Sequence, residues 1–81
     1  MGGCKTMKRH IIFEKSSKIA NALLGTGKCT NEGNWLFTCN DNIEDMKVLQ
    51  NAVDELTKGT AYKNYKLVFA NENNYSDFIT V

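Results

Sequence analysis

Proline is absent from this chain, and histidine and tryptophan occur once each. The missing proline decides nothing between fold classes. The single histidine decides more. His10 has no Asp, Ser or Cys at a spacing that makes a catalytic triad or a ligand cluster, so it reads as a partly exposed strand residue. The three cysteines, Cys4, Cys29 and Cys39, form an odd set with no C-x-x-C pair. A disulfide framework needs an even set, and a structural zinc needs four ligands. With His10 the chain musters at most a Cys3His set, and reduced thiols are the expected state. No cofactor or metal is expected. No run of 18 apolar residues exists, which excludes a membrane-spanning helix. The N-terminus lacks an apolar leader-type segment, so the expected location is cytoplasmic.

What is present is an ordinary globular composition: 81 residues, 42% of them apolar and 23% charged. That length makes one domain, expected over residues 8–81 behind a flexible, Gly-rich stretch at 1–7. A chain this short buries only about 60–65% of its unfolded surface, so its stability margin is thin. Net charge is +1 but unevenly spread. Residues 1–30 carry Lys5, Lys8, Arg9, Lys15, Lys18 and Lys28 against Glu14. Residues 31–57 carry Glu32, Asp41, Glu44, Asp45, Asp54 and Glu55 against Lys47. Such poles either form a bipolar binding surface or pair with each other.

The longest periodic stretch is 41–59, DNIEDMKVLQNAVDELTKG. Met46, Leu49, Val53 and Leu56 fall on one face of a 3.6-residue helix, widened by Val48 and Ala52. Asp41 with Glu44 reads as a capping box, and Gly59 suits the left-handed stop. A shorter helix is predicted from Ser16 or Ser17 to Gly25, with Ile19, Ala20, Leu23 and Leu24 as its apolar face.

Strands fill the rest. In 8–15, Ile11 and Phe13 alternate with His10, Ile12 and Glu14. A short strand at 28–30 joins 34–40 through a TNEGN turn, with Trp35, Phe37 and Cys39 expected on one face and Trp35 in the core. The run 65–70 and a last strand from Tyr75 make a hairpin across a polar turn at 71–74. The order β-α-(β)β-α-β-β predicts an α+β fold, a small two-layer sandwich. Two helices pack on one face of a four- to five-stranded mixed or antiparallel sheet. The other face is left less covered, with His10, Ile12, Leu36, Thr38, Lys66 and Val68 as its candidates.

Motifs for chemistry are scarce. Gly25-Thr26-Gly27-Lys28-Cys29 looks like the tail of a phosphate-binding P-loop. The pattern fails, because Ala22 stands where its first glycine belongs and Cys29 where Ser or Thr belongs. The glycines also close a helix instead of opening one. Lys66-Leu67-Val68-Phe69 does not match the RNA-recognition signature. Asp41, Glu44 and Asp45 sit at a helix N-terminus, where carboxylates are stabilising without any catalytic role. The chain therefore reads as no enzyme.

The leading expectation is a protein-interaction module. Its acidic contacts would be Glu44, Asp45 and Glu55, and its aromatic anchors Tyr62, Tyr65 and Tyr75. In size and composition, though in no motif, it is similar to small phage proteins that inhibit host defence systems, anti-CRISPR proteins among them. That resemblance implies docking on and blocking a larger enzyme such as a defence nuclease. An exposed edge strand also permits a homodimer. One alternative is nucleic-acid binding through Lys8, Arg9, Lys15, Lys18 and Lys28. Another is a membrane tether, because Gly2 and Thr6 fit the myristoylation pattern and Cys4 is positioned for a second acyl chain.

Overall fold

The computed structural model describes residues 8–61 and 63–81. The expectations for Gly2, Cys4, Tyr62 and the 1–7 stretch lie outside the described residues. The elements in chain order are β1 (Lys8–Ile12), α1 (Ser17–Gly25), β2 (Cys29–Asn31), β3 (Phe37–Asn40), α2 (Ile43–Thr57), β4 (Val68–Asn71) and β5 (Asn74–Ile79). The strands form one antiparallel sheet in the order β2-β3-β1-β4-β5. Each helix links two strands that flank a third: α1 joins β1 to β2 around β3, and α2 joins β3 to β4 around β1. This is the split βαβ connectivity, used twice, with β5 added beside β4. The α+β sandwich expected from the sequence is the fold observed.

One core lies between the helices and the sheet. It gathers Ile19, Ala20 and Leu23 of α1, Met46, Leu49 and Val53 of α2, and Ile11, Phe37, Cys39 and Phe69 from the strands, with Cys29 and Leu67. Burying these side chains is the main favourable term in folding, at roughly 25 cal/mol per Å² of apolar surface.

Local chemistry shifts several element boundaries. Asn42, not Asp41, caps α2, its Oδ1 accepting from the amides of Glu44 at 2.8 Å and Asp45 at 3.2 Å. Asp41 is unavailable as a cap because its carboxylate takes the Arg9 Nε hydrogen bond at 3.0 Å. The buried stripe of α2 continues from Val53 to Thr57 rather than Leu56, and Val48 also faces outward. Thr57 satisfies its hydroxyl by donating to Val53 O at 2.9 Å, so it can be buried in place of leucine. Gly59 adopts φ +77° after α2, as expected. α1 ends at Gly25, as expected, and the left-handed residue follows two positions later at Gly27, φ +73°.

The strand expected over 65–70 begins only at Val68. Upstream, the buried Gln50 side chain occupies the backbone instead. Its Nε2 donates to Tyr65 O at 2.6 Å and its Oε1 accepts from Leu67 N at 2.9 Å. Trp35 is likewise outside its expected strand. Asn34 and Trp35 have φ of 51° and 65° and form the two central positions of a tight hairpin turn closed by Leu36 N to Gly33 O. Positive φ at both positions is the mirror-image turn geometry that suits strand twist, and it is costly for a tryptophan. Trp35 is 38% exposed and leans on Phe13 and Phe37 at ring-centroid distances of 6.4 and 6.2 Å.

Candidate functional site

Because strand side chains alternate, the sheet residues that do not face the helices share the opposite face. Register places them in rows. One row runs Thr30, Thr38, His10, Ala70, Phe78 across all five strands. The next places Ile12 opposite Val68, and extending the β1–β3 register by one residue brings Leu36 opposite Ile12. The face thus carries an apolar row beside one that mixes Thr30, Thr38 and His10 with Ala70 and Phe78. Ile12 is 42% exposed, Leu36 39% and Phe78 55%. In an antiparallel sheet with one solvated face, polar residues are the rule at these positions.

Tyr75 joins this face through a backbone irregularity. Phe78 pairs with Ala70, yet the next β4 residue, Asn71, pairs with Asn74, so β5 bulges between them. The bulge turns Tyr75 over β1, where its hydroxyl and His10 Nδ1 share a hydrogen bond and the rings meet edge to face at 5.3 Å. Tyr75 remains 51% exposed. Ala70, between His10 and Phe78 in its row, is fully buried.

Arg9 holds the bulge from the covered side. Its Nη1 donates to Phe69 O at 3.3 Å and to Asp77 O at 3.0 Å, taking carbonyls at the interrupted pairing. Its charge is balanced by Asp41 at 3.0 Å, with Asp77 Oδ1 at 3.8 Å. A buried guanidinium persists only when paired and hydrogen-bonded in this way.

The sequence-predicted contacts are dispersed. Lys8 is exposed at the start of β1, whereas Lys15 and Lys18 lie beyond its other end, past a strand about 13 Å long at 3.3 Å per residue. Arg9 is buried and committed to the fold. Lys28 reaches Asp45 Oδ1 at 3.9 Å, so the two charge poles meet through Lys28–Asp45 and Arg9–Asp41. Asp45 also receives a long hydrogen bond from Asn40 Nδ2 at 3.5 Å. Glu44 and Glu55 are exposed on α2, eleven residues and about 16 Å apart. Tyr65 is half-buried against the core, and its hydroxyl accepts from Glu14 N at 2.5 Å. Of the two described tyrosine anchors, Tyr75 is the one on the open face.

Phe78 was not singled out as an anchor. Plain alternation separates it from Tyr75, which is three residues away, and only the bulge brings the two to one side. Ile12 and Leu36 were legible as open-face residues from alternation alone.

Elsewhere, a cleft of about 350 Å³ is lined by Glu14, Lys18, Ile19, Leu56, Thr57 and Thr60, among others, between the start of α1 and the end of α2. Among the described residues no group of three or more His, Cys, Asp or Glu side chains is arranged to hold a metal ion. No helix among them is long and apolar enough to cross a membrane. The thiols of Cys29 and Cys39 are pushed up to about 11 and about 12 by burial, Cys39 further by the charges of Cys29, Asp45 and Asp41 and opposed by Arg9. Comparisons with protein-family models, curated proteins and solved structures find no match to this chain.

Proposed function

We propose that this protein is a non-enzymatic interaction module that binds another protein through the open face of its sheet. The observation that carries the reading is the exposure of Ile12, Leu36, Tyr75 and Phe78 together on the sheet face opposite the helices. Contiguous exposed apolar surface costs solubility and is retained where a partner covers it. Tyr75 supplies a rigid ring and a hydroxyl, the chemistry enriched at the centres of interfaces. Docking of a compact domain on a larger enzyme blocks the surface it covers, which is the inhibitory mode that the resemblance to small phage inhibitors implies.

A second reading has its own observation. His10, Tyr75 and Phe78 present three rings on an antiparallel sheet with Lys8 at the start of its central strand, an arrangement on which single-stranded bases stack. Both readings use the same face, so one experiment separates them. The tagged protein is used to capture partners from its source lysate, with and without nuclease and at two salt concentrations. An Ile12→Ser/Phe78→Ser variant and a Glu44→Lys/Glu55→Lys variant are run beside it. The interaction reading expects a stoichiometric protein that survives nuclease, is lost with the open-face variant and is retained with the helix variant. Nucleic acid that falls away steeply with salt replaces it with the second reading. A partner lost only with the helix variant moves the contact to α2 and overturns both.

A further inference from the structure

Two of the cysteines face each other across neighbouring strands. Cys29 of β2 is the direct partner of Cys39 of β3, and both side chains belong to the core cluster. The hydrogen-bonding phase of this hairpin follows from its closed end. Glu32 N donates to Leu36 O at 2.7 Å, which makes that pair a hydrogen-bonded one. Pairs alternate along an antiparallel ladder, so the pair three steps away, Cys29 and Cys39, is non-hydrogen-bonded. Residues at such positions sit about 4.5 Å apart at Cα, their side chains closer than at the alternate sites, and that separation lies within the range disulfides span. Both cysteines are free here.

We propose that Cys29 and Cys39 form a reversible cross-strand disulfide, a modification site that staples the edge strand β2 to β3. The oxidant is a small-molecule disulfide such as oxidised glutathione. One cysteine thiolate attacks it, forming a mixed disulfide and releasing one glutathione. The second cysteine thiolate then displaces the other glutathione and closes the Cys29–Cys39 bond. Both protein thiols are oxidised, the glutathione disulfide is reduced, and the two thiol protons leave on the two glutathione molecules.

Access sets the rate. Thiolate is the nucleophile, and in the closed fold burial and the carboxylates of Asp41 and Asp45 disfavour it at Cys39, with Arg9 the opposing charge. Closure therefore passes through opening of β2. That strand has three residues and is paired on one side only, so it belongs to the least protected part of the sheet. Thr30 adds one tie, its hydroxyl lying 3.3 Å from that of Thr38.

The test uses the full chain with Cys4→Ser, so that a third thiol does not confuse the products. The protein is equilibrated with oxidised and reduced glutathione at mildly alkaline pH, quenched in acid, and mapped by mass spectrometry. The expected product has lost two hydrogens and both free thiols, and yields a Cys29–Cys39 linked peptide. Its Tm rises by about 10 °C through closure of a short loop, and dithiothreitol reverses the rise. Two thiols persisting at the most oxidising ratio, or glutathione adducts as the final product, overturn the proposal. So does a linked product whose Tm falls.

Discussion

The two faces of this sheet are built by the same strands and carry apolar residues on both sides, yet they differ in how those residues are used. On the covered face Phe37, Leu67 and Phe69 are at most 1% exposed, packed under two helices. On the open face Ile12, Leu36 and Phe78 keep 39–55% of their surface in water. A chain this short has little apolar content to spare for its core. Placing part of it on an uncovered face costs stability that the fold does not recover by itself. The difference separates residues that hold the fold from residues available to a partner.

The largest expected contrast comes from one phenylalanine on each face. Phe69→Ala empties a fully buried site and costs about 3–5 kcal/mol. Phe78→Ser, more than half exposed, shifts stability by about 0.5 kcal/mol or less while removing partner capture. Urea denaturation of both variants checks the comparison, and equal losses would erase the distinction between the faces.

Next is the polar strut under the covered face. Gln50→Leu keeps the volume but removes the Gln50 hydrogen bonds to Tyr65 O and Leu67 N, at about 1–3 kcal/mol for the buried Leu67 amide left unsatisfied. Amide hydrogen exchange reads this locally. Leu67 N should lose protection first, and protection unchanged there would mean the backbone has another partner.

Alkaline pH probes the covered face through its thiols. Cys29 and Cys39 have folded pKa values raised from 9.0 to about 11 and about 12, so the unfolded chain gives up these protons first. Their contribution is complete below pH 9 and is lost as pH rises from there through about 11 and 12. Each group weakens the fold by about 1.4 kcal/mol per pH unit in its window. Chemical denaturation of the reduced protein from pH 8 to 10.5 should show a steeper decline than the disulfide form, which has no thiol to ionise at Cys29 or Cys39. Parallel curves would show that these thiols do not drive the alkaline loss.

The smallest effect sharpens the boundary of α2, which lies on the helix layer away from the open face. Asn42→Ala removes the cap and costs about 1 kcal/mol, whereas Asn42→Asp retains it. Thermal unfolding of the pair checks this, with partner capture unchanged in both.

Much of the fold was legible because periodicity and stop signals are local. Met46, Leu49 and Val53 mark a helical face at their spacing, and Ile11 against Ile12 marks a two-sided strand. The misplacements have physical causes at a distance. Asp41 reads as a cap until Arg9, thirty-two residues earlier, claims its carboxylate. Tyr65 to Leu67 reads as strand until Gln50, from the middle of α2, takes its backbone groups. Trp35 reads as core until Asn34 and Trp35 itself turn left-handed and lift it out of the strand.

The candidate site divides the same way. Alternation within a strand determined by itself that Ile12, Leu36 and Val68 oppose the core, while length determined one domain and the order of periodic segments an α+β chain. Tertiary structure alone decided that these residues fall into one row, because register and strand order depend on pairings between segments far apart in sequence. It also decided that Tyr75 and Phe78 share a face, because a bulge held by Arg9 changes the period of β5, and no local rule carries that information. The charge poles, plain in the sequence, meet at two points in the fold, where a small domain brings Arg9 to Asp41 and Lys28 to Asp45. The facing of Cys29 and Cys39 has the same origin: ten residues separate them in the chain, and only the phase of the hairpin places one thiol against the other.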